Sequence, residues 1–170
     1  TKFSSKGNEN KDFKVVTTIL NNEGQEVSKN EQNINLLANT TCQENVQELT
    51  VENVHRWNGT KDPYLYTVKV ELKDMEENVY DSQTQKVGFR TFKVKDGNFY
   101  LNGKLYKLNG VGMHQDREGY GNATTKEMKE EDINTIMEMG ANAIRTAHYA
   151  HDQSLYDLAD EKGLIVWTEI

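Results

Sequence analysis

The sequence predicts a two-part chain, an all-β sandwich followed by a parallel α/β portion. Three observations predict it. Tyr64, Tyr66, Val68, Val70 and Leu72 alternate without a break, the period-two pattern of a strand with one buried face. Ile133, Ile136, Met137 and Gly140 follow the i, i+3, i+4, i+7 stripe of a helix packed on a core. Three apolar runs, within 108–116, 142–149 and 164–169, each end in polar side chains, and helix-length segments separate them. Strand, helix, strand, helix, strand is the order that builds a parallel sheet. Groups at the carboxyl ends of such strands converge at one end of the sheet.

The composition narrows the function classes. The chain has 170 residues, 35% hydrophobic and 28% charged, with a net charge of −7. That length suits one large domain or two small ones. The acidic excess is spread along the chain, so there is no clustered basic face and no expectation of nucleic-acid binding. No apolar run approaches the roughly 18 residues of a membrane span, and no membrane contact is expected. Thr1–Gly7 is polar and does not read as a signal peptide, which leaves the compartment open. The single Cys42 excludes an internal disulfide.

Residues 1–11 are polar and rich in Gly, Asn and Lys, and are expected to be a loose end. From Phe13 the period becomes two: Phe13, Val15, Thr17 and Ile19 share a face, and β-branched residues dominate. Asn21-Asn22-Glu23-Gly24 is a turn signal, and Gln25 to Ser28 should return as the hairpin partner. Ile34, Leu36, Val46, Leu49, Val51 and Val54 mark further short strands. The strand at 64–72 follows the only proline, Pro63, and 87–94 reads as another strand. Short strands with turns between them suggest a sandwich over 12–95, the size of an immunoglobulin-like module.

The character changes after Asp96-Gly97. Phe99 to Tyr106 reads as a hairpin turning at Asn102-Gly103. Thr124-Thr125-Lys126-Glu127 fits a capping box, with Thr124 at the N-cap and Glu127 three residues on. Gly140 is expected to cap the far end of that helix. A second helix should start near Asp152, pack Leu155, Leu158 and Ala159, and stop at Lys162-Gly163.

These residues resemble glycoside hydrolase family two, the family of bacterial β-galactosidases and β-glucuronidases. The matching stretches occur in order. They include Pro63-Tyr64-Leu65-Tyr66, Val87-Gly88-Phe89-Arg90, Phe99 to Lys104, Gly110 to His114, Asn142 to Tyr149, Tyr156 to Glu161 and Gly163 to Val166. Ala150 stands where the family has Pro after the His-Tyr pair, and Leu105 stands where the hairpin has Pro. The resemblance implies an immunoglobulin-like sandwich at 12–95. It also implies the first three strands and two helices of a catalytic (β/α)8, or TIM, barrel at 96–170. In the family the acid/base Glu and the nucleophile Glu come from later barrel strands. Both would lie beyond Ile170, so the chain is expected to be a fragment of a retaining β-glycosidase, inactive alone. Its expected partner is a carbohydrate substrate, a β-galactoside or β-glucuronide.

Retaining glycosidases need two carboxyl groups about 5–5.5 Å apart. Asp116, Glu118 and Glu169 are the carboxylates at strand ends here. Glu169 can be catalytic or can be a polar residue that orients its neighbours. The resemblance implies that His148 bonds sugar hydroxyls more tightly at the transition state, which suits a group able to donate and accept. Arg145 reads as an organiser of carboxylates or backbone, by virtue of its five-donor fork. His114 and Asp116 match the loop after the first strand and would shape the site. The substrate-binding candidates are therefore His148, Arg145, His114, Asp116 and Glu169. His55 and His151 carry no functional expectation. Trp57 can be a sugar-stacking platform or core packing. No metal ligation is expected here, since the His spacing has no ligand signature; Mg or Na used by relatives would depend on residues beyond Ile170.

Two further expectations follow. A purely carbohydrate-binding or adhesive immunoglobulin-like module is the alternative, but it gives no reason for Arg145, His148 and Glu169 at strand ends. A homo-oligomer through the truncated barrel is also expected. Its contact would be an inner sheet face carrying Val111, Ala143, Ile144, Ile165 and Val166, next to an open strand edge.

Overall fold

The computed structural model describes residues 1–169. The chain folds as two units. The first joins Thr1–Val54 to Tyr66–Val87, and the second joins His55–Leu65 to the chain from Gly88 onward.

The first unit is built on β2, Lys11–Leu20. Its β-branched run makes it the inner strand of a four-stranded antiparallel sheet, flanked by β3 (Glu26–Leu36) and β5 (Tyr66–Lys73), with β6 (Val79–Val87) outside β5. Phe13, Val15, Thr17 and Ile19 are buried as the alternation predicts; Val16 and Thr18, on the opposite face, are buried too. The hairpin from β2 turns at Gly24, where φ is +80°. Its return strand runs on to Leu36, well past Ser28, because every residue from Ser28 to Leu36 finds a partner on β2.

Two expectations change here. The loose end is instead tied down. Strand β1 (Lys2–Phe3) pairs with β4 (Gln43–Glu44), and Ser5 N donates to Thr40 O at 2.8 Å. Residues 45–54, expected to hold short strands, have none. A side chain replaces the ladder there: Gln47 Nε2 donates to Val15 O at 3.1 Å, and Thr17 Oγ1 donates to Gln47 Oε1 at 2.6 Å.

The strand expected over 87–94 is broken by Gly88–Thr91, and β7 begins at Phe92 and ends at Lys95. Close packing explains the break. A Cβ on Gly88 would sit 2.9 Å from the Trp57 side chain, and Trp57 N donates to Phe89 O at 3.0 Å. The second unit therefore starts before residue 96 and also takes in 55–65. Strand β7 pairs with β8 (Asn98–Leu101), which pairs with β9 (Lys104–Leu105). The turn between β8 and β9 is the predicted one, with φ of 51° at Asn102 and 79° at Gly103. Asn102 also donates to Trp57 O at 2.9 Å.

The rest of the second unit is the predicted β-α-β-α-β order: β10 (Gly110–Met113), α1 (Lys126–Glu138), β11 (Ala143–Thr146), α2 (Gln153–Lys162) and β12 (Ile165–Thr168). The strands are parallel, in the order β10-β11-β12. Three parallel strands and two helices are the part of the barrel that was expected here. Helix α1 is capped one residue later than expected. Thr125 Oγ1 accepts from Met128 N, so Glu127 falls at the second helical position and cannot close a capping box. Helix α2 is capped by Asp152 and ends at Gly163, with φ of +82°, as predicted.

Ile133, Ile136, Leu155, Ala159 and Leu164 form the core with Ile144, and Val111 and Val166 pack against it. That corrects the expected inner face. Side chains alternate along a strand, so the neighbours Ala143 and Ile144, or Ile165 and Val166, cannot share a face. Val111, Ile144 and Val166 turn to the helices. Gly112, Ala143, Arg145, Ile165 and Trp167 occupy the other face.

Candidate functional site

The parallel register aligns Met113, Thr146 and Thr168 across the three strands. The residues that follow each strand therefore arrive at one edge of the sheet. Three of the predicted residues are joined there. Arg145 Nε donates to Glu169 Oε1 at 2.7 Å, and His148 Nδ1 lies 2.8 Å from Glu169 Oε2. A carboxylate only accepts, so Nδ1 carries the proton. The 3.5 Å approach of Arg145 Nη2 to the same Nδ1 is then not a bond, because both are donors. His148 Nε2 is left to serve as an acceptor, or as a donor when the ring is charged. The His148 side chain is 66% exposed.

The electrostatics of Glu169 follow from these contacts. The hydrogen bond from Arg145, then that from His148, holds its carboxyl below the ordinary Glu value, against the opposing effect of burial. Arg145 projects to this position because β11 turns Ile144 and Thr146 into the helix side and Arg145 to the open side.

His114 joins the patch by ring contact, its centroid 5.5 Å from that of His148 at 73°. Asp116 and Glu118 do not: both are exposed, and among the described residues neither bonds to the Arg145, His148 and Glu169 group. Asp116 instead borders a small cavity with Thr124 and Lys129. Trp57 is 1% exposed, and its Nε1 donates to Asp160 O at 2.9 Å. It is core packing and no sugar platform. His151 is buried, with Nε2 at 3.3 Å from Ala147 O.

Other residues hold the loops in place and were not expected. Gln115 ties three segments: its N donates to Tyr149 Oη at 3.1 Å, its Nε2 to Asn122 O at 3.1 Å, and its Oε1 accepts from Asp152 N at 2.7 Å. Arg117 fixes the same loop to α1 through Glu131 and Asp132, both at 2.7 Å. Tyr149 also stacks on His151, centroids 5.1 Å apart. No periodicity signals such bonds, because they link polar loop residues far apart in sequence. Among the described residues, no three His, Cys, Asp or Glu side chains converge as a metal site.

Comparison with known proteins gives a consistent result. Residues 1–90 match the family described as glycosyl hydrolases family 2, and residues 92–170 match the TIM barrel domain of the same family. A β-glucuronidase of Bacteroides fragilis is 42% identical over 123 residues, 72% of this chain and 18% of the relative. A β-galactosidase of Thermoanaerobacter pseudethanolicus is 35% identical over 166 residues, 96% of this chain and 22% of the relative. The solved structure of a Bacteroides uniformis β-glucuronidase superposes with a TM-score of 0.90 at 32% identity, covering 99% of this chain and 20% of that one. The chain thus spans about a fifth of the length of these proteins.

Proposed function

The chain belongs to glycosyl hydrolase family 2, and from that premise we propose that it is part of a retaining β-glycosidase acting on β-galactosides or β-glucuronides. The observation that carries the reading is the Glu169 carboxylate held by both Arg145 and His148 at the strand ends. In this reading His148 meets a sugar hydroxyl through Nε2, and Glu169 orients the ring by holding Nδ1. Arg145 fixes Glu169. His114 borders the same patch, and Asp116 shapes the loop behind it.

Glu169 itself suits the organising role. A general acid at neutral pH needs a raised pKa, and this carboxyl is lowered, with both oxygens engaged. In this reading the acid/base and the nucleophile come from later barrel strands, and neither role falls to Glu169. Any Mg or Na requirement would rest on residues outside those described, and no step is assigned to a metal.

The test uses the longer enzyme with nitrophenyl β-galactoside and β-glucuronide, following the anomer released by NMR. Hydrolysis of at least one with retention supports the reading; inversion, or no turnover of either, overturns it. The 170-residue chain alone should give only background hydrolysis. Turnover that survives repurification and is lost in Glu169→Gln would make Glu169 a reacting group instead.

Self-association of this chain is part of the proposal. Trp167 is 71% exposed on the sheet face away from the helices. In the described sheet β10 and β12 are both edges, and open edges favour pairing.

A further inference from the structure

Two buried polar atoms near the site have no hydrogen-bond partner among the described residues, Nδ1 of His151 and Oγ1 of Thr124. His151 is only 7% exposed. Both residues line one cavity of about 10 Å3, and Lys129 lines it with them. Native proteins rarely leave such atoms unpaired, because nothing replaces the water they give up on folding.

The donors and acceptors around the cavity can be assigned. His151 Nε2 lies 3.3 Å from Ala147 O. A carbonyl only accepts, so Nε2 carries a proton, and in the neutral ring Nδ1 is then an acceptor. Lys129 is 5% exposed and has three donors. One goes to Thr124 O at 3.0 Å and one faces Asp152 Oδ1 at 3.3 Å. The third remains. Thr124 Oγ1 can give or take a proton. An acceptor, a spare cationic donor and a hydroxyl thus border one small space.

We propose that this cavity is a binding site for a single water molecule. The water donates to His151 Nδ1, accepts from Lys129 Nζ, and exchanges a bond with Thr124 Oγ1. Three bonds is the usual complement of a buried water, and a cavity of about 10 Å3 is at the lower end of what holds one. The space is too small for a larger ligand, and although Asp116 and Asp132 also border it, no three His, Cys, Asp or Glu side chains among the described residues converge as a metal site. The water joins the loop after β10, helix α1 and the loop after β11, three residues past His148. It therefore adds to the bonds of Gln115 in fixing the two loops that carry His114 and His148.

A crystal structure of the 170-residue chain at a resolution that shows ordered solvent is the direct test. The expected result is one water within about 2.6–3.2 Å of both His151 Nδ1 and Thr124 Oγ1. Nitrogen NMR of His151 should show the Nε2-protonated ring. A direct Thr124–His151 bond, a dry cavity or an Nδ1-protonated ring would overturn the proposal. Oxygen-17 relaxation dispersion gives a check in solution. The chain should lose one long-lived water in Thr124→Val and keep it in Thr124→Ser; an unchanged signal in Thr124→Val would also overturn it. The crystal and NMR readouts need no variant, so a failure of Thr124→Val to fold leaves the test intact.

Discussion

Arg145 Nε lies 2.7 Å from Glu169 Oε1, while the other oxygen of that carboxylate faces His148 Nδ1. One carboxylate thus orders two side chains from the preceding strand and its loop. The pairing lowers the Glu169 pKa below its ordinary 4.5, with Arg145 the larger cause. Between the lowered folded value and the unfolded one, the unfolded chain binds more protons. The stabilisation from this group is therefore complete above the unfolded value and is lost as pH falls through the folded value. Carbon NMR titration of Glu169 should give a pKa below 4.5, moving upward in Arg145→Gln and upward by less in His148→Gln. A Glu169 carboxyl indifferent to both substitutions would show that the trio does not form in solution.

Two glycines with nearly the same φ should respond differently to alanine. Gly140 has φ of +81° and open space where a Cβ would sit. Gly163 has φ of +82°, but a Cβ there would stand 2.3 Å from Gly59 O. Gly140→Ala should cost about 1–2 kcal/mol for the left-handed backbone alone. Gly163→Ala adds an overpacking cost of about 1–3 kcal/mol, because backbone has to shift. Urea denaturation of both variants measures the difference; equal losses would mean that the 55–65 segment does not lie against the end of α2.

The order of elements in the second unit was legible in the sequence because period and caps agreed there. Ile133 and Ile136 marked the buried face of α1, and Asp152 and Gly163 marked both ends of α2. The α1 cap was misplaced by one because Thr124 and Thr125 are chemically equivalent, and only the backbone decides between them. The faces of β11 and β12 differ from expectation for a simpler reason. Apolarity alone does not separate Ala143 from Ile144, and the alternation of side chains along a strand does. The first unit was less legible, since Gln47 replaces a strand ladder with a side-chain amide. At the site, the matched stretches include Arg145 and His148, while Glu169 stands out only as a carboxylate ending the third apolar run. Which of them touch was set by the register Arg145↔Trp167 and Thr146↔Thr168, and a sequence does not print register.

The exposed Trp167 makes self-association testable. Sedimentation of the 170-residue chain should show a dimer or larger species. Trp167→Lys should weaken it roughly tenfold to a hundredfold, the value of burying one large apolar side chain. A monomeric wild-type chain with well-protected amides in β10–β12 would contradict the proposed association.

The proposed role of the group built on Glu169 is to present His148 to a sugar hydroxyl. The kcat/KM of His148→Ala in the longer enzyme, on the better of the two nitrophenyl glycosides, tests that role. The expected result is a fall of roughly 10²–10⁴-fold, about 3–5 kcal/mol of transition-state stabilisation, with the fold intact by circular dichroism. Wild-type kinetics in His148→Ala would contradict it and leave His148 a structural loop residue.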